Sequence, residues 1–546
     1  MHANRRPGNP KFWPRFSLLP LLLSCGCSGS GVAADETAGE SADVVEQAVT
    51  TPLSICNQDP RVNSGLVPIA VCAGARVFFD EKFNGNGRTC GSCHPAANNF
   101  TIDGMFVSSL PSSDPLFVAE NQPSTLGALE DTAALHSNEA LIRENVDGFV
   151  EGRFVARSVP HTLSLATSLT RDPADLTSAS VVERTGWSGD GSPGDGSLRN
   201  FIDGAIKQHY PTDLSRIPDT SFRFATSTEK DQVLAFQLAL GRLSDINLSQ
   251  VTLTDANAAL GKTQFMDPLI GRCNECHGNA GANSSVSGKN RNFDSGTNRL
   301  PPDFGFAPLP GGGGVLLDGG FGGQLSPSPD FSTGLQGPPN ARILDAFGDG
   351  TFNVPPLIEA ADTGPFFHSH ASGVTADPTA SIESAVTFYS STNFLGSPAA
   401  RLLDQKFGQP VNIPNTTAET IARFLRVLNA SFNLAIAKQR MDAARLLNIN
   451  YWAYRADIQI GLLKLASEEI DDAIRVLQHA AGGGPLHAAQ QTSLANARAY
   501  LDQAVNTTDP ATRKTKTESA LSLVVAAKAA FGSNMNFQLG TGNLMF

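Results

Sequence analysis

A five-residue pattern occurs twice in this chain, as Cys90-Gly91-Ser92-Cys93-His94 and as Cys273-Asn274-Glu275-Cys276-His277. Two thiols three positions apart, followed at once by an imidazole, form the spacing that covalent c-type haem attachment needs. The thiols add across two vinyl groups as thioethers, and the next residue brings an imidazole under the iron. The same cysteines could serve a structural zinc site or a thioredoxin-like redox pair. A redox pair does not need the following His, and no second Cys pair at zinc spacing lies near either copy. The expectation is two covalently bound haem c groups, on Cys90 and Cys93 and on Cys273 and Cys276, with His94 and His277 as iron ligands. Such a chain folds around two large apolar bodies, and few helices need pack against each.

The start of the chain is basic at Arg5, Arg6, Lys11 and Arg15, apolar from Phe16 to Leu23, and small at Ser24-Cys25-Gly26-Cys27. That order reads as an export signal over residues 1–24. The apolar run falls far short of the roughly 20 residues a membrane span needs. Leu22-Leu23-Ser24-Cys25 resembles a bacterial lipobox, which would make Cys25 the lipidated first residue of the mature chain. Cys27 is the weaker candidate, and an ordinary cleaved signal peptide is the alternative. Residues 25–55 then read as anchor and flexible tether. The expected location is the periplasm or outer envelope of a bacterium, with membrane contact by the lipid only. Cys56 and Cys72 remain, and in an exported protein such a pair is expected to form a disulfide, two buried free thiols being the alternative. The net charge of −12 comes with no basic stripe, which speaks against nucleic acid. An acidic surface could steer a small basic electron-donor protein.

A length of 546 residues allows two or three domains. The 51 glycines and 34 prolines concentrate before residue 415, and the periodicity there is sparse. Short helical patterns cover Leu66–Phe79, Leu198–Gln208, Glu229–Leu243, Ala256–Phe265, Ser381–Tyr389 and Ala418–Leu428. Phe304–Pro338 is dominated by Gly, Pro and Phe and reads as a long loop with no regular element. From Thr417 onward Ala, Leu, Lys, Arg and Gln take over, with 3.6-type periodicity in Ala437–Leu447, Ile458–His479, Ala488–Val505 and Arg513–Phe531. Gly482-Gly483-Gly484-Pro485 and Thr507–Pro510 interrupt it. The fold class is therefore mainly α, ending in a helical bundle or hairpin array over 432–546 whose apolar stripes form core.

Several landmarks flank the motifs. They are Arg76-Val-Phe-Phe-Asp80-Glu-Lys-Phe-Asn-Gly85-Asn-Gly87, Phe100-Thr-Ile-Asp-Gly104, Arg157-Ser-Val-Pro160 and Trp187-Ser-Gly189. Phe352-Asn-Val-Pro-Pro-Leu357, Thr363-Gly-Pro365-Phe-Phe-His368 and Ser381-Ile-Glu-Ser-Ala-Val-Thr-Phe-Tyr389 follow. In this order, over about residues 66–430, the chain resembles the bacterial di-haem cytochrome c peroxidase family, which includes MauG. The resemblance implies two cytochrome c-like lobes, 56–250 and 251–431. The first haem would be open and reactive, the second an electron-transfer haem, and Trp187 the relay between them.

The resemblance also implies a second axial ligand at the end of the helix that closes on Tyr389, with His368 and His370 as rivals. No switchable distal His stands in Asn145–Gly152, which implies a first haem that is open without reductive activation. The family's distal glutamate would fall near His209-Tyr210-Pro211, where no acid stands; Asp213 is the nearest, and His209 could substitute as the acid/base group. Phe201 and Ala205 stand where the family has Gln and Pro, which makes that pocket more apolar. Thr363 and Pro365 match carbonyl positions of a family calcium site whose Asn position is Ser158 here, a poorer Ca²⁺ ligand, and His161 stands beside it. The implied reaction is peroxide reduction, fed by an unknown reductant. Rubber oxygenases of the same superfamily, which use O2, share an apolar distal pocket and a run like Gly204–His209. A non-catalytic electron carrier, with His209 or His161 closing the first haem, is the third possibility.

Overall fold

Ser197, Thr226 and Asp255 each end an extended stretch by accepting the backbone N–H three residues on, and a helix starts there. They open Leu198–His209, Ser227–Leu238 and Ala256–Met266. The computed structural model describes residues 52–121, 132–144, 154–175, 181–191, 196–300, 315–322, 346–377, 379, 381–451, 455–478, 480 and 484–546. The export signal, Cys25, Cys27 and the Asn145–Gly152 stretch lie outside them. The described chain is mainly helical, as its periodicity predicts. The Glu229–Leu243 pattern ends early, at Leu238. The reason is long-range: Gly241 N donates to Asn543 Oδ1 (2.7 Å) and Leu243 N to the Gln538 carbonyl (2.7 Å), so this backbone is not free to stay helical.

One packing device occurs twice. Helix Ile69–Asp80, which leads to the first motif, crosses Ser227–Leu238 so closely that a Cβ on Gly74 would stand 1.9 Å from the Gln232 carbonyl oxygen. One turn further on, Phe78 meets Phe236 with ring centroids 5.3 Å apart. Ala256–Met266, which leads to the second motif, crosses the helix Asn415–Tyr451 in the same way. A Cβ on Gly261 would stand 1.8 Å from the Thr420 carbonyl oxygen, and Phe265 meets Phe424 at 5.5 Å. Glycine and phenylalanine four residues apart share one helix face. Glycine lets the backbones approach, and the ring pair fills the space that opens beyond.

Ala418–Leu428 and Ala437–Leu447 belong to one helix, Asn415–Tyr451, so the expected boundary at 431/432 falls inside an unbroken element. This helix packs on Ala456–Gln478, which packs on Ala488–Asn506, then Pro510–Phe531, and the last returns to the first. Leu462, Leu463, Ala466, Ile470 and Leu477 are buried, as a core-forming stripe requires. The segment beyond is not a free appendage. Gly532–Ser533 pairs with Thr252–Leu253. Arg61 Nη1 donates to the Leu544 carbonyl (2.8 Å), and the Phe546 ring packs on Phe79 and Phe100 at 5.5 and 5.1 Å. No described helix is long and apolar enough to cross a membrane.

Phe304–Pro338 differs from the expected loop. Val315–Asp318 within it is a strand, parallel to Phe154–Arg157, which is itself antiparallel to Ile142–Glu144; Ala346–Phe347 completes the sheet. The apolar Val-Leu-Leu run finds backbone partners in a distant strand, and this outweighs its glycine-rich flanks. Cys56 and Cys72 form the expected disulfide.

Two outcomes are expected. Gly74→Ala and Gly261→Ala each force a pair of helix backbones apart and cost roughly 1–3 kcal/mol of unfolding free energy in denaturant titration; an unchanged midpoint in either variant would refute the close crossing. Replacing Cys56 and Cys72 together by Ala opens a 16-residue separation and costs about 3 kcal/mol under oxidising conditions. The loss should vanish when wild type is measured fully reduced.

Candidate functional site

Each motif is a single turn of helix, Cys90–Cys93 and Cys273–Cys276, ended by its histidine in a non-helical conformation. That break turns the imidazole out of the turn, where a backbone carbonyl catches one nitrogen. His94 Nδ1 lies 2.8 Å from the Phe100 carbonyl oxygen, and His277 Nδ1 lies 3.0 Å from that of Pro355. A carbonyl only accepts, so Nδ1 carries the proton and Nε2 keeps its lone pair. Burial pushes both rings down to about 4, so they are neutral near pH 7. Burial also pushes the Cys90 thiol up to about 11 and those of Cys273 and Cys276 to about 12.

Two cavities, of about 170 and 190 Å³, adjoin the motifs. One water takes roughly 10–15 Å³ of such space, so each could hold about ten or more. Cys93 and His94 line the first; the Cys90 sulfur stands beside it and accepts from the Tyr210 hydroxyl (3.2 Å). Phe201, Ala205 and His209, on one helix at spacings of four, line the same cavity. Cys273, Cys276, His277, Tyr389, His368 and His370 line the second. Each cavity thus brings a thiol and an imidazole onto a largely apolar lining.

The cavities share a wall. Trp187, His161, Val159 and Pro355 line both. The Trp187 indole donates to the Ser158 carbonyl (2.9 Å), which fixes the ring. Gly186 opens the turn that carries Trp187 in a left-handed conformation (φ +67°), which glycine adopts without strain. The His161 Nδ1 atom is buried with no hydrogen-bond partner among the described residues, and burial lowers its pKa.

His209 lines the first cavity, and its electrostatics differ from those of a free imidazole. Burial, then Arg88, Arg216 and His94, push it down to about 3. It is a neutral proton acceptor and not a standing acid. Asp213 takes no part: its carboxylate accepts from Ser215 N (2.9 Å) and Ser221 Oγ (2.7 Å) outside the cavity lining. Ser158 lines the first cavity and Thr363 the second, while Pro365 lines neither. The Ser158 hydroxyl donates to the Phe367 and His368 carbonyls at 3.3 and 3.2 Å, and that of Thr363 to Glu359 and Ala360 at 3.1 and 3.3 Å. Among the described residues no three His, Cys, Asp or Glu side chains gather for a metal ion.

Sequence reasoning missed a charged group on the first cavity. Arg157 and Glu144 come from adjacent strands and line it. Arg157 donates through Nε and Nη2 to Asp318 (2.6 and 3.1 Å) and through Nη1 to Glu144 (3.4 Å). Burial opposes its charge, but Asp318 and Glu144 outweigh burial and keep it protonated. Burial pushes the Glu144 carboxyl up against the pull of Arg157. The Arg157-Ser-Val-Pro160 landmark marked one partner; nothing in the sequence tied it to residues 144 and 318.

In the second cavity, His370 has φ +50°, a left-handed conformation that costs a non-glycine residue about 1–3 kcal/mol. Its Nδ1 is bonded to the Glu139 carbonyl. His368 stacks on Phe352, 4.1 Å between centroids. Tyr389 caps Ile382–Phe388 and packs on Phe394 at 4.8 Å, and burial raises its phenol pKa.

No protein-family model, curated protein or solved structure matches this chain.

Arg157→Met leaves two buried carboxyls without their cation. The expected cost is about 3–5 kcal/mol in chemical denaturation. A loss under 1 kcal/mol would mean that Asp318 and Glu144 find other partners.

Proposed function

We propose that this chain is an exported di-haem c-type oxidoreductase that reduces hydrogen peroxide at its first cavity with electrons entering through the second. The observation that carries the reading is the pair of Cys-x-x-Cys-His cavities sharing one wall in which Trp187 faces both. The donor sets fit covalent haem c: Cys90, Cys93 and His94 would hold one group, and Cys273, Cys276 and His277 the other. Haem bound there would supply reversible one-electron chemistry and an iron centre for peroxide.

The chain's own residues then have defined tasks. The Phe100 and Pro355 carbonyls fix the two proximal rings with Nε2 free. Neutral His209 accepts the proton that bound peroxide gives up and returns it to the departing water. Phe201 and Ala205 keep bulk water from that face. Trp187, oriented by the Ser158 carbonyl, couples the cavities. The balance is one peroxide, two electrons and two protons to two waters. The electrons come from a small redox protein in the cell envelope, for which the net charge of −12 favours a basic partner. Cys25 would tether the chain by lipid. The apolar Phe201 and Ala205 lining favours one second reading, a haem-dependent dioxygenase resembling rubber oxygenases.

The test uses the full chain matured with haem c. The expected result is two covalent haems per chain, an optical and EPR change on adding peroxide, and turnover with a reduced donor. His209→Gln should lower kcat/KM for peroxide about 10²–10⁴-fold with haem content unchanged. Trp187→Phe should slow reduction of the first haem by the second. A response to dioxygen in place of peroxide would favour the oxygenase. Two low-spin haems inert to peroxide would make the protein an electron carrier.

A further inference from the structure

Three candidates line the second cavity: Tyr389, His368 and His370. Their surroundings separate them. His368 is stacked on Phe352 and has Asp318 and Arg157 as its charged neighbours, so its ring belongs to the ion cluster on the sheet. The Tyr389 ring packs edge-on against Phe394 and Phe388, with centroids 4.8 and 5.5 Å apart.

His370 is held differently. Its Nδ1 is bonded to the carbonyl of Glu139, a residue 231 positions away in the chain. The rings of His94 and His277 are held by the same device, Nδ1 on a backbone carbonyl. Among the described residues these three are the histidines that combine a carbonyl-bound Nδ1 with a place on a cavity wall. The carbonyl fixes the tautomer and leaves the Nε2 lone pair for a metal, the arrangement expected of a ligating imidazole. The backbone adds a second, independent sign. His370 adopts φ +50° inside a tight loop closed by the Phe366–Ser372 bridge, with Ser158 N donating to the His368 carbonyl (2.7 Å). Glycine would take that conformation without strain, and strained side-chain-bearing residues persist where the surroundings over-determine them.

We infer that His370, and not Tyr389, is the sixth ligand of the group held by Cys273, Cys276 and His277, giving it two imidazole ligands. This rests on the di-haem reading above. A bis-imidazole centre is low-spin and closed to peroxide, which fits electron transfer and leaves the first cavity as the place for chemistry.

The experiment is EPR and optical spectroscopy of the full-length ferric holoprotein, with covalent haem counted separately. His370→Ala should convert one of two haems from low-spin to high-spin with two haems still attached, and free imidazole should restore the low-spin signal. Tyr389→Phe should leave that signal in place. Should His370→Ala fail to accumulate, His370→Met carries the test: it should stay low-spin with a raised potential at the second haem only, since thioether ligation raises it. A low-spin signal that survives His370→Ala, or a potential unmoved by His370→Met, overturns the ligand assignment while the haem count keeps the di-haem reading. Fewer than two covalent haems in wild type overturns both.

Discussion

Two helix crossings that tolerate no Cβ set the frame for everything else. At Gly74 and at Gly261 a backbone carbonyl of the partner helix occupies the space a side chain would need. Each glycine is followed one turn later by a phenylalanine, and each contacted residue, Gln232 and Thr420, by another: Phe78 with Phe236, Phe265 with Phe424. The two crossings differ in every other contact and agree in this register. Each fixes the helix that leads into a Cys-x-x-Cys-His turn, so the position of both motifs depends on the absence of two side chains.

The crossings also explain why the C-terminal helices are integral. The partner of Gly261 is the 37-residue helix Asn415–Tyr451, whose far half builds the bundle with Ala456–Gln478 and Pro510–Phe531. The chain then returns to the first crossing, where Phe546 packs on Phe236 (6.0 Å) as well as Phe79. Arg440 in the long helix reaches the same segment, donating to the Asn543 carbonyl (3.0 Å). One continuous helix thus packs against elements of both motif regions.

Between the motifs the structure uses polar groups sparingly. Most of the shared wall is apolar, and its hydrogen bonds run mainly through backbone carbonyls: the Trp187 indole to Ser158, the His277 ring to Pro355, and Asn353 to Trp187 and Gly186. Charged groups stand beyond that wall: the Arg157, Glu144 and Asp318 cluster that the small sheet assembles, Arg184 on the first cavity and Arg272 on the second. Keeping ion pairs off the shared wall and the imidazoles neutral leaves that wall low in polarity, where each remaining dipole counts for more.

The sequence by itself determined the local chemistry. The two motifs, the Cys56–Cys72 pair and the capped helices after Ser197, Thr226 and Asp255 follow from spacing and short-range hydrogen bonding, which a one-dimensional pattern records. Trp187, Phe201 and His209 were singled out only through the family resemblance; that they line one cavity is a fact of the tertiary structure. Tertiary structure alone decided the rest. The strand Val315–Asp318, the Arg157 cluster, the early end of the Ser227–Leu238 helix and the Glu139 bond that orients His370 all join residues tens to hundreds of positions apart. Local pattern carries no trace of them, because each depends on which distant backbone groups are left without a partner once the helices have packed.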